Sequence, residues 1–169
     1  MLEVYTGTGK GKTTAALGVA LRGFGYNMQT LMLSFLKDDP AYGEARAALN
    51  LPWLTLKQVG RDAFVNFRNP DPIDVKMCRD GWEEAKKAIL EHEADIIILD
   101  ELNIVLATNL LPTAEVVEFL KEHKNDLEII TTGRGAPEEL MKAADLVTDM
   151  QEVKHYFHKG ISSRNGIDH

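Results

Sequence analysis

Leu2-Glu3-Val4-Tyr5-Thr6-Gly7-Thr8-Gly9-Lys10-Gly11-Lys12-Thr13-Thr14 opens the chain and decides its fold. Residues 2–5 are an apolar, β-prone run that ends in glycines, and from 14 to 24 apolar residues recur at helical spacing. Strand, glycine turn and helix in that order form the setting of a phosphate-binding loop. Glycines let consecutive N–H groups turn inward onto an anion. The helix N-terminus adds partial positive charge. Lys12 supplies a mobile cation to the phosphates and Thr13 a hydroxyl to Mg²⁺ (or Mn²⁺). Gly7, Thr8, Gly9, Lys10, Gly11 and Thr14 complete the expected nucleotide contacts. The usual spacing is Gly, four residues, Gly-Lys-Ser/Thr; here Thr6 takes the first glycine's place and Gly7 comes one residue late.

Outward from this loop, short apolar runs alternate with longer helical ones. Residues 30–35, 54–59, 95–99, 127–131 and 146–150 read as further strands. The 95–99 run is the strongest, four consecutive aliphatics that suit a strand buried on both faces. Residues 73–92 and 113–123 read as helices, the second with Thr113 as its N-cap. Residues 137–144 read as a helix entered through Pro137. Residues 37–52 begin as a loop with Pro40 and Gly43 and hold a short helix, and 60–74 read as an exposed loop. Strands buried on both faces and separated by helices imply a mainly parallel sheet in a three-layer α/β/α fold. Its ligands belong at the carboxyl ends of the strands.

The 169 residues suit one domain over 1–169. Nineteen basic against 26 acidic residues give a net charge of −7, which argues against a sequence-independent nucleic-acid binder. Cys78 is the one cysteine, so neither an internal disulfide nor a cysteine-based zinc site can form. The opening Met1-Leu2-Glu3 carries an acid where a signal peptide carries bases. The run Ile96-Ile97-Ile98-Leu99 is far short of the ~20 residues that span a bilayer. A protein with no membrane partner, in a reducing cytoplasmic compartment, is the expectation.

That same aliphatic run ends in Asp100-Glu101. Acids at a strand terminus reach a metal held by the loop threonine, directly or through water. Paired with the loop, they point to an ATP–Mg²⁺ site. The loop alone does not name the reaction. No Asn-Lys-x-Asp guanine-reading motif is evident. A small-molecule kinase and a non-catalytic ATP-binding regulatory module both remain compatible with the loop.

Further segments narrow the choice. Arg22 lies eight residues after Thr14. Leu99-Asp100-Glu101-Leu102, Thr132-Gly133-Arg134-Gly135-Ala136-Pro137, Ala144-Asp145-Leu146-Val147-Thr148-Asp149-Met150 and Lys154-His155-x-Phe157 follow in order. Over nearly the whole chain this resembles the P-loop type of ATP:corrinoid (cob(I)alamin) adenosyltransferases. The shortened phosphate loop is itself typical of that family.

The resemblance implies a P-loop (RecA-like) fold and transfer of the 5′-deoxyadenosyl group from ATP to reduced corrinoid cobalt, with triphosphate leaving intact. It implies ATP bound in the reverse sense, a nucleotide contact from Arg22, a reduced flavoprotein donor and a homodimer; Arg134, which follows a strand at the active edge, is a candidate to bind phosphate or a corrinoid side chain. Co(I) is already a strong nucleophile, so the enzyme's roles are positioning and helping to form Co(I). In the family, aromatic residues in the loop after the third strand displace cobalt's lower ligand. The matching stretch here is Gly60-Arg61-Asp62-Ala63-Phe64-Val65-Asn66-Phe67, with Asn66 and Phe67 where a family member carries tryptophan. Phe64 and Phe67 are therefore the candidate wedge. Lys154 and His155 are placed near the corrinoid or a dimer contact. The three-residue spacing of His155 and His158 suggests a metal pair only weakly, since no third ligand accompanies them.

Overall fold

The computed structural model describes residues 1–61, 63 and 65–168. Among them, six strands form the sheet: β1 (Leu2–Thr6), β2 (Thr30–Phe35), β3 (Leu54–Val59), β4 (Ile96–Asp100), β5 (Glu128–Thr132) and β6 (Leu146–Asp149). Their order is β3-β2-β4-β5-β1-β6, and every pairing is parallel. The sheet is thus wholly rather than mainly parallel. The helices that accompany it are α1 (Lys12–Phe24), α2 (Gly43–Ala48), α3 (Pro72–Leu90), α4 (Leu102–Ala107), α5 (Thr113–His123) and α6 (Glu138–Ala143). A 3-10 turn at Tyr156–Lys159 opens the C-terminal strap.

Alternation along the strands builds two cores. Leu31, Leu33 and Phe35 of β2 and Ile97 and Leu99 of β4 face one side, where Cys78, Trp82, Val105, Leu120 and Leu140 of α3–α6 cover them. Met32, Ile96, Ile98 and Ile130 face the other side, under Ala16 and Ala20 of α1. Each fully buried aliphatic contributes about 1.5–3 kcal/mol, so β4, with four buried aliphatics in succession ahead of Asp100, is the spine of both layers. On α1 the stripe Lys12, Ala16, Ala20, Gly23 is buried, and its small residues let the helix lie close to the sheet. A Cβ on Gly23 would come within 2.6 Å of Ile96 Cδ1.

Local chemistry explains the boundaries. Pro72 sits in the first turn of α3, and Asp71 caps it by accepting the Ile73 N–H at 3.1 Å. Pro112, not Thr113, holds the N-cap position of α5; Thr113 is its first helical residue and its hydroxyl reaches back to the Leu106 carbonyl at 3.4 Å. β4 runs one residue later than the 95–99 reading, and just before it the Asp95 carboxylate accepts the Gln29 N–H at 2.8 Å. Trp53 and Trp82 are both buried; Trp53 stacks on Phe24 at 5.2 Å and Trp82 meets Phe119 edge-on at 5.5 Å. Cys78 is buried, and desolvation pushes its thiol up to about 12, so it is inert packing. Among the described residues, no helix is long and apolar enough to cross a membrane.

Candidate active site

The loop between β1 and α1 is held from beneath by the end of β6. The Gly9 N–H donates to the Met150 carbonyl at 2.6 Å, and the Met150 N–H donates to the Thr6 carbonyl at 2.9 Å. Gly7 has φ of 100°, and a Cβ there would lie 2.2 Å from Asp149 Oδ1, so only glycine fits. Thr6, in the first glycine's place, is a structural tie. Its Oγ1 accepts the Ala136 N–H at 3.1 Å and fastens β1 to the loop after β5. Thr8 Oγ1 accepts the Glu152 N–H at 3.4 Å. Lys12 is buried and its Nζ donates to the Gly7 carbonyl at 2.9 Å and the Gly9 carbonyl at 2.7 Å. Burial, and secondarily Arg134, depress its pKa; Glu101, Asp100 and Asp149 oppose them. The ammonium is thus held by the loop's own carbonyls.

Asp100 ends β4 with no exposure to solvent. Its Oδ1 accepts the hydroxyls of Thr13 at 2.8 Å and Thr132 at 2.6 Å, and its Oδ2 accepts the Lys37 ammonium at 2.7 Å. Glu101 occupies the N-cap position of α4 at φ 62°, a left-handed conformation costly for a residue with a Cβ. Its N–H donates to Thr132 Oγ1 at 3.1 Å. Its carboxylate lies above Gly133, where a Cβ would stand 3.2 Å from Oε2. Burial, then the neighbouring Asp100, raise the Glu101 pKa, against the pull of Lys37, Lys12 and Arg134.

These oxygen donors fit a hard divalent cation. The Thr13 hydroxyl and Asp100 Oδ1 are already adjacent, and Glu101 borders the same cavity. Among the described residues no group of three or more His, Cys, Asp or Glu side chains converges. An ion here would complete its shell from phosphate and water, as Mg²⁺ does.

Three cavities meet at this edge; one of about 510 Å³ lies among Thr13, Lys37, Glu44 and Glu101, and two others adjoin it. Of these two, the first, about 500 Å³, is lined by the loop from Gly9 to Thr14 and by Glu101, Ile104, Arg134, His155, Tyr156 and Phe157. The second, about 380 Å³, is lined by Phe35, Leu36, Lys37, Tyr42, Val65 and Phe67 among others. Glu101 and Ile104 line both and form the partition between them.

The structure therefore gathers Gly9, Lys10, Gly11, Lys12, Thr13, Thr14, Glu101 and Arg134 around one cavity, with Asp100 beneath Thr13. Arg134 is exposed and stands between two glycines at positive φ, Gly133 and Gly135. Phe67 lines the second cavity and packs on the core. Phe64 lies outside the described residues. Arg22 is not brought to either cavity: it is exposed in the last turn of α1, the end of that helix opposite the loop. Lys10 turns its Nζ to the Ile167 carbonyl at 2.6 Å and stands 3.4 Å from Asp168. His155 Nδ1 accepts the Phe157 N–H at 3.1 Å and so caps the 3-10 turn, while His158 meets Glu152 at 2.5 Å.

Lys37 and Asn103 escape a reading of the sequence, and Thr132 is marked there only as part of the 132–137 segment, with no role of its own. Asn103 is fully buried and its Nδ2 donates to the carbonyls of Tyr5 at 3.0 Å and Gly133 at 3.2 Å, clamping the ends of β1 and β5. Lys37 and Thr132 share one available signal: each is a polar residue at the carboxyl end of an apolar strand, the edge where such folds bind ligands.

A parallel sheet, a glycine cradle at a helix N-terminus and a loop threonine against a strand-end aspartate define a phosphate-loop nucleotide-binding protein. The match to known proteins is closer than that class. Residues 1–169 match the family model of the ATP:corrinoid adenosyltransferases BtuR/CobO/CobP, and the chain belongs to that family. The corrinoid adenosyltransferase of Escherichia coli K12 is 36% identical over 169 residues, covering all of this chain and 85% of that protein. The corrinoid adenosyltransferase CobA of Salmonella typhimurium LT2 is 33% identical, with the same coverage. Among solved structures, the flagellar accessory protein FlaH of Methanocaldococcus jannaschii superposes with a TM-score of 0.58 over 88% of this chain and 69% of its own. At 13% identity that likeness shows the fold alone.

Proposed function

We propose that this chain transfers the 5′-deoxyadenosyl group of ATP to the Co(I) centre of a reduced corrinoid and releases intact triphosphate. Family membership supports the reaction. The observation that carries its placement is the pair of cavities that meet at Glu101 and Ile104. The cavity formed by the loop suits the triphosphate, and the one beside it, which sets Phe35, Val65 and Phe67 among charged side chains, suits a corrin with its apolar face and polar rim.

The cobalt electron pair forms the Co–C5′ bond while the C5′–O bond breaks and its electrons pass to the triphosphate oxygen. The whole triphosphate is the leaving group, so the loop's N–H groups and Lys12 stabilise charge that grows on it. Lys12 exchanges the Gly7 and Gly9 carbonyls for phosphate oxygens. Arg134 and Lys10 add positive charge at the rim. Thr13, Asp100 and Glu101 would hold Mg²⁺ or Mn²⁺, which supplies Lewis-acid stabilisation of the leaving phosphates. The partition sets the approach of cobalt to C5′, a positioning role. Phe67, with Phe64, forms an apolar wedge on the corrin's lower face. A reduced flavoprotein supplies the electron, and the enzyme works as a cytoplasmic homodimer of single-domain subunits, each spanning residues 1–169.

The test is anaerobic incubation with Mg-ATP and chemically reduced cobalamin, followed by corrinoid absorbance and phosphate analysis. An alkylated corrinoid with stoichiometric triphosphate is expected. ADP as the product would replace this reading with a kinase, and binding without turnover would replace it with a regulatory module.

A further inference from the structure

Lys37 is absent from the loop motif and from the acidic pair, yet the backbone is bent to deliver it. Leu36, immediately before it, has φ of 60°, a strained value for a residue with a Cβ. Gly60 leaves room for the bend, since a Cβ there would fall 2.4 Å from the Lys37 backbone nitrogen. The Leu36 N–H is fixed on the Val59 carbonyl at 2.9 Å. The result is an ammonium 2.7 Å from Asp100 Oδ2 and 3.6 Å from Glu44, with the Tyr42 ring at 5.9 Å.

Asp100 is completely buried, and a buried carboxylate without a compensating charge is costly. Thr13 and Thr132 give it neutral hydroxyls; Lys37 carries the charge. Lys37 also occupies Oδ2 and so leaves Oδ1 turned to Thr13. Burial lowers the Lys37 pKa, but attraction to and hydrogen bonding with Asp100, with help from Glu101 and Glu44, outweigh that and hold it protonated.

We propose that Lys37 is the resident counter-ion of Asp100: it holds Oδ1 toward Thr13 and keeps divalent metal out until a nucleotide brings its own negative charge. Asp100 and Glu101 carry negative charge that Lys37 offsets directly at Asp100, while Lys12 and Arg134 act on Glu101. A divalent ion alone therefore meets a site with little net negative charge. Triphosphate in the loop supplies the missing negative charge, and metal and nucleotide enter together. The protein thus avoids filling its phosphate site with a lone ion that would orient water in place of ATP. Lys37 is a positioning residue in this scheme, acting on the phosphates through Asp100 and Thr13.

The inference rests on the metal–ATP reading above, and the experiment separates the two. Mn²⁺ binding to the full chain is measured by electron paramagnetic resonance, with and without ATP. Lys37→Met and Lys37→Gln are expected to bind Mn²⁺ without nucleotide about tenfold more tightly or better, because a unit charge is removed a few ångströms from the ion. The glutamine keeps an N–H donor for Asp100, so its agreement with methionine isolates charge from hydrogen bonding. Lys37→Arg keeps the charge and is expected to bind lone Mn²⁺ as weakly as the native protein. If the neutral variants, shown to be folded by their melting curves, bind lone Mn²⁺ no better than native, the counter-ion role is overturned while the ATP site stands. If the native protein holds no Mn²⁺ even with ATP, the metal reading and this inference fall together.

Discussion

The Thr132 hydroxyl donates to Asp100 Oδ1 at 2.6 Å and, at the same oxygen, accepts the Glu101 N–H at 3.1 Å. One side chain at the end of β5 therefore orients both acids at the end of the neighbouring strand. Thr132→Val keeps the shape and removes the bridge. It leaves a buried carboxylate short of a donor and an N–H short of an acceptor, a loss of about 1–3 kcal/mol. Denaturant unfolding is expected to show that loss with an unchanged m-value, and Thr132→Ser is expected to restore most of it. Full stability in the valine variant would mean that water replaces the hydroxyl.

Lys12→Ala removes the ammonium held by the Gly7 and Gly9 carbonyls, the cation proposed to stabilise the leaving triphosphate. Deleting a charge-assisted hydrogen bond from a water-poor site costs about 2–4 kcal/mol of transition-state stabilisation, roughly 30-fold to 1000-fold in turnover. The measurement is turnover at saturating ATP with pre-reduced corrinoid. Near-native turnover would remove Lys12 from the leaving-group role.

Glu101→Gln separates function from stability. Burial and Asp100 raise the Glu101 pKa above its ordinary 4.5, so the folded state binds the proton more tightly than the unfolded state does. Stability contributed by this group is therefore present at low pH and lost as pH rises through the raised value. At neutral pH the native carboxylate is a liability that glutamine lacks. Glu101→Gln is expected to melt higher than native at pH 7, with the advantage vanishing toward and below the ordinary value of 4.5. Turnover is expected to drop sharply and to recover in part with added Mg²⁺. An unchanged metal titration would assign Glu101 to positioning α4, and Asp100→Asn in the same titration identifies the ligand.

A substitution at Phe67 tests whether reduction and transfer depend on different residues. Phe67 lines the cavity on the far side of the Glu101 partition and packs on the core. If its ring stabilises four-coordinate Co(II), Phe67→Ala is expected to lose activity strongly with a weak flavoprotein donor. It is expected to keep much of it with a strong chemical reductant. A spectrum of the Co(II) corrinoid with ATP reports the four-coordinate species directly. Equal losses under both reductants, in a variant whose melting curve is native, would remove the wedge role.

Local pattern determined much of this protein. β2 at Thr30–Phe35 lies where its largely apolar run places it and is buried along its whole length, whereas β3 at Leu54–Val59 is an edge strand on which only Leu54 is buried, marked in the sequence by Leu54, Leu56 and Val59. The phosphate loop is legible because its chemistry is contiguous: glycines, Lys12 and Thr13 act within one turn of chain. The acidic pair Asp100-Glu101 is legible for the same reason. Other features exist only in three dimensions. The short helix α4 has too few residues for a periodic signal, and it is stabilised by tertiary burial of Leu102, Asn103, Val105 and Leu106. Arg22 shares the loop's helix, but a helix of thirteen residues carries its last turn well away from its first. Lys37, Thr132 and Asn103 reach the site from segments far apart in sequence, brought together by the order β2-β4-β5-β1. Strand order is set by which apolar faces pack together, and no local motif records it. The loop chemistry was therefore written in the chain, whereas the charge balance around Asp100 arose only when the sheet placed Lys37 and Thr132 on either side of it.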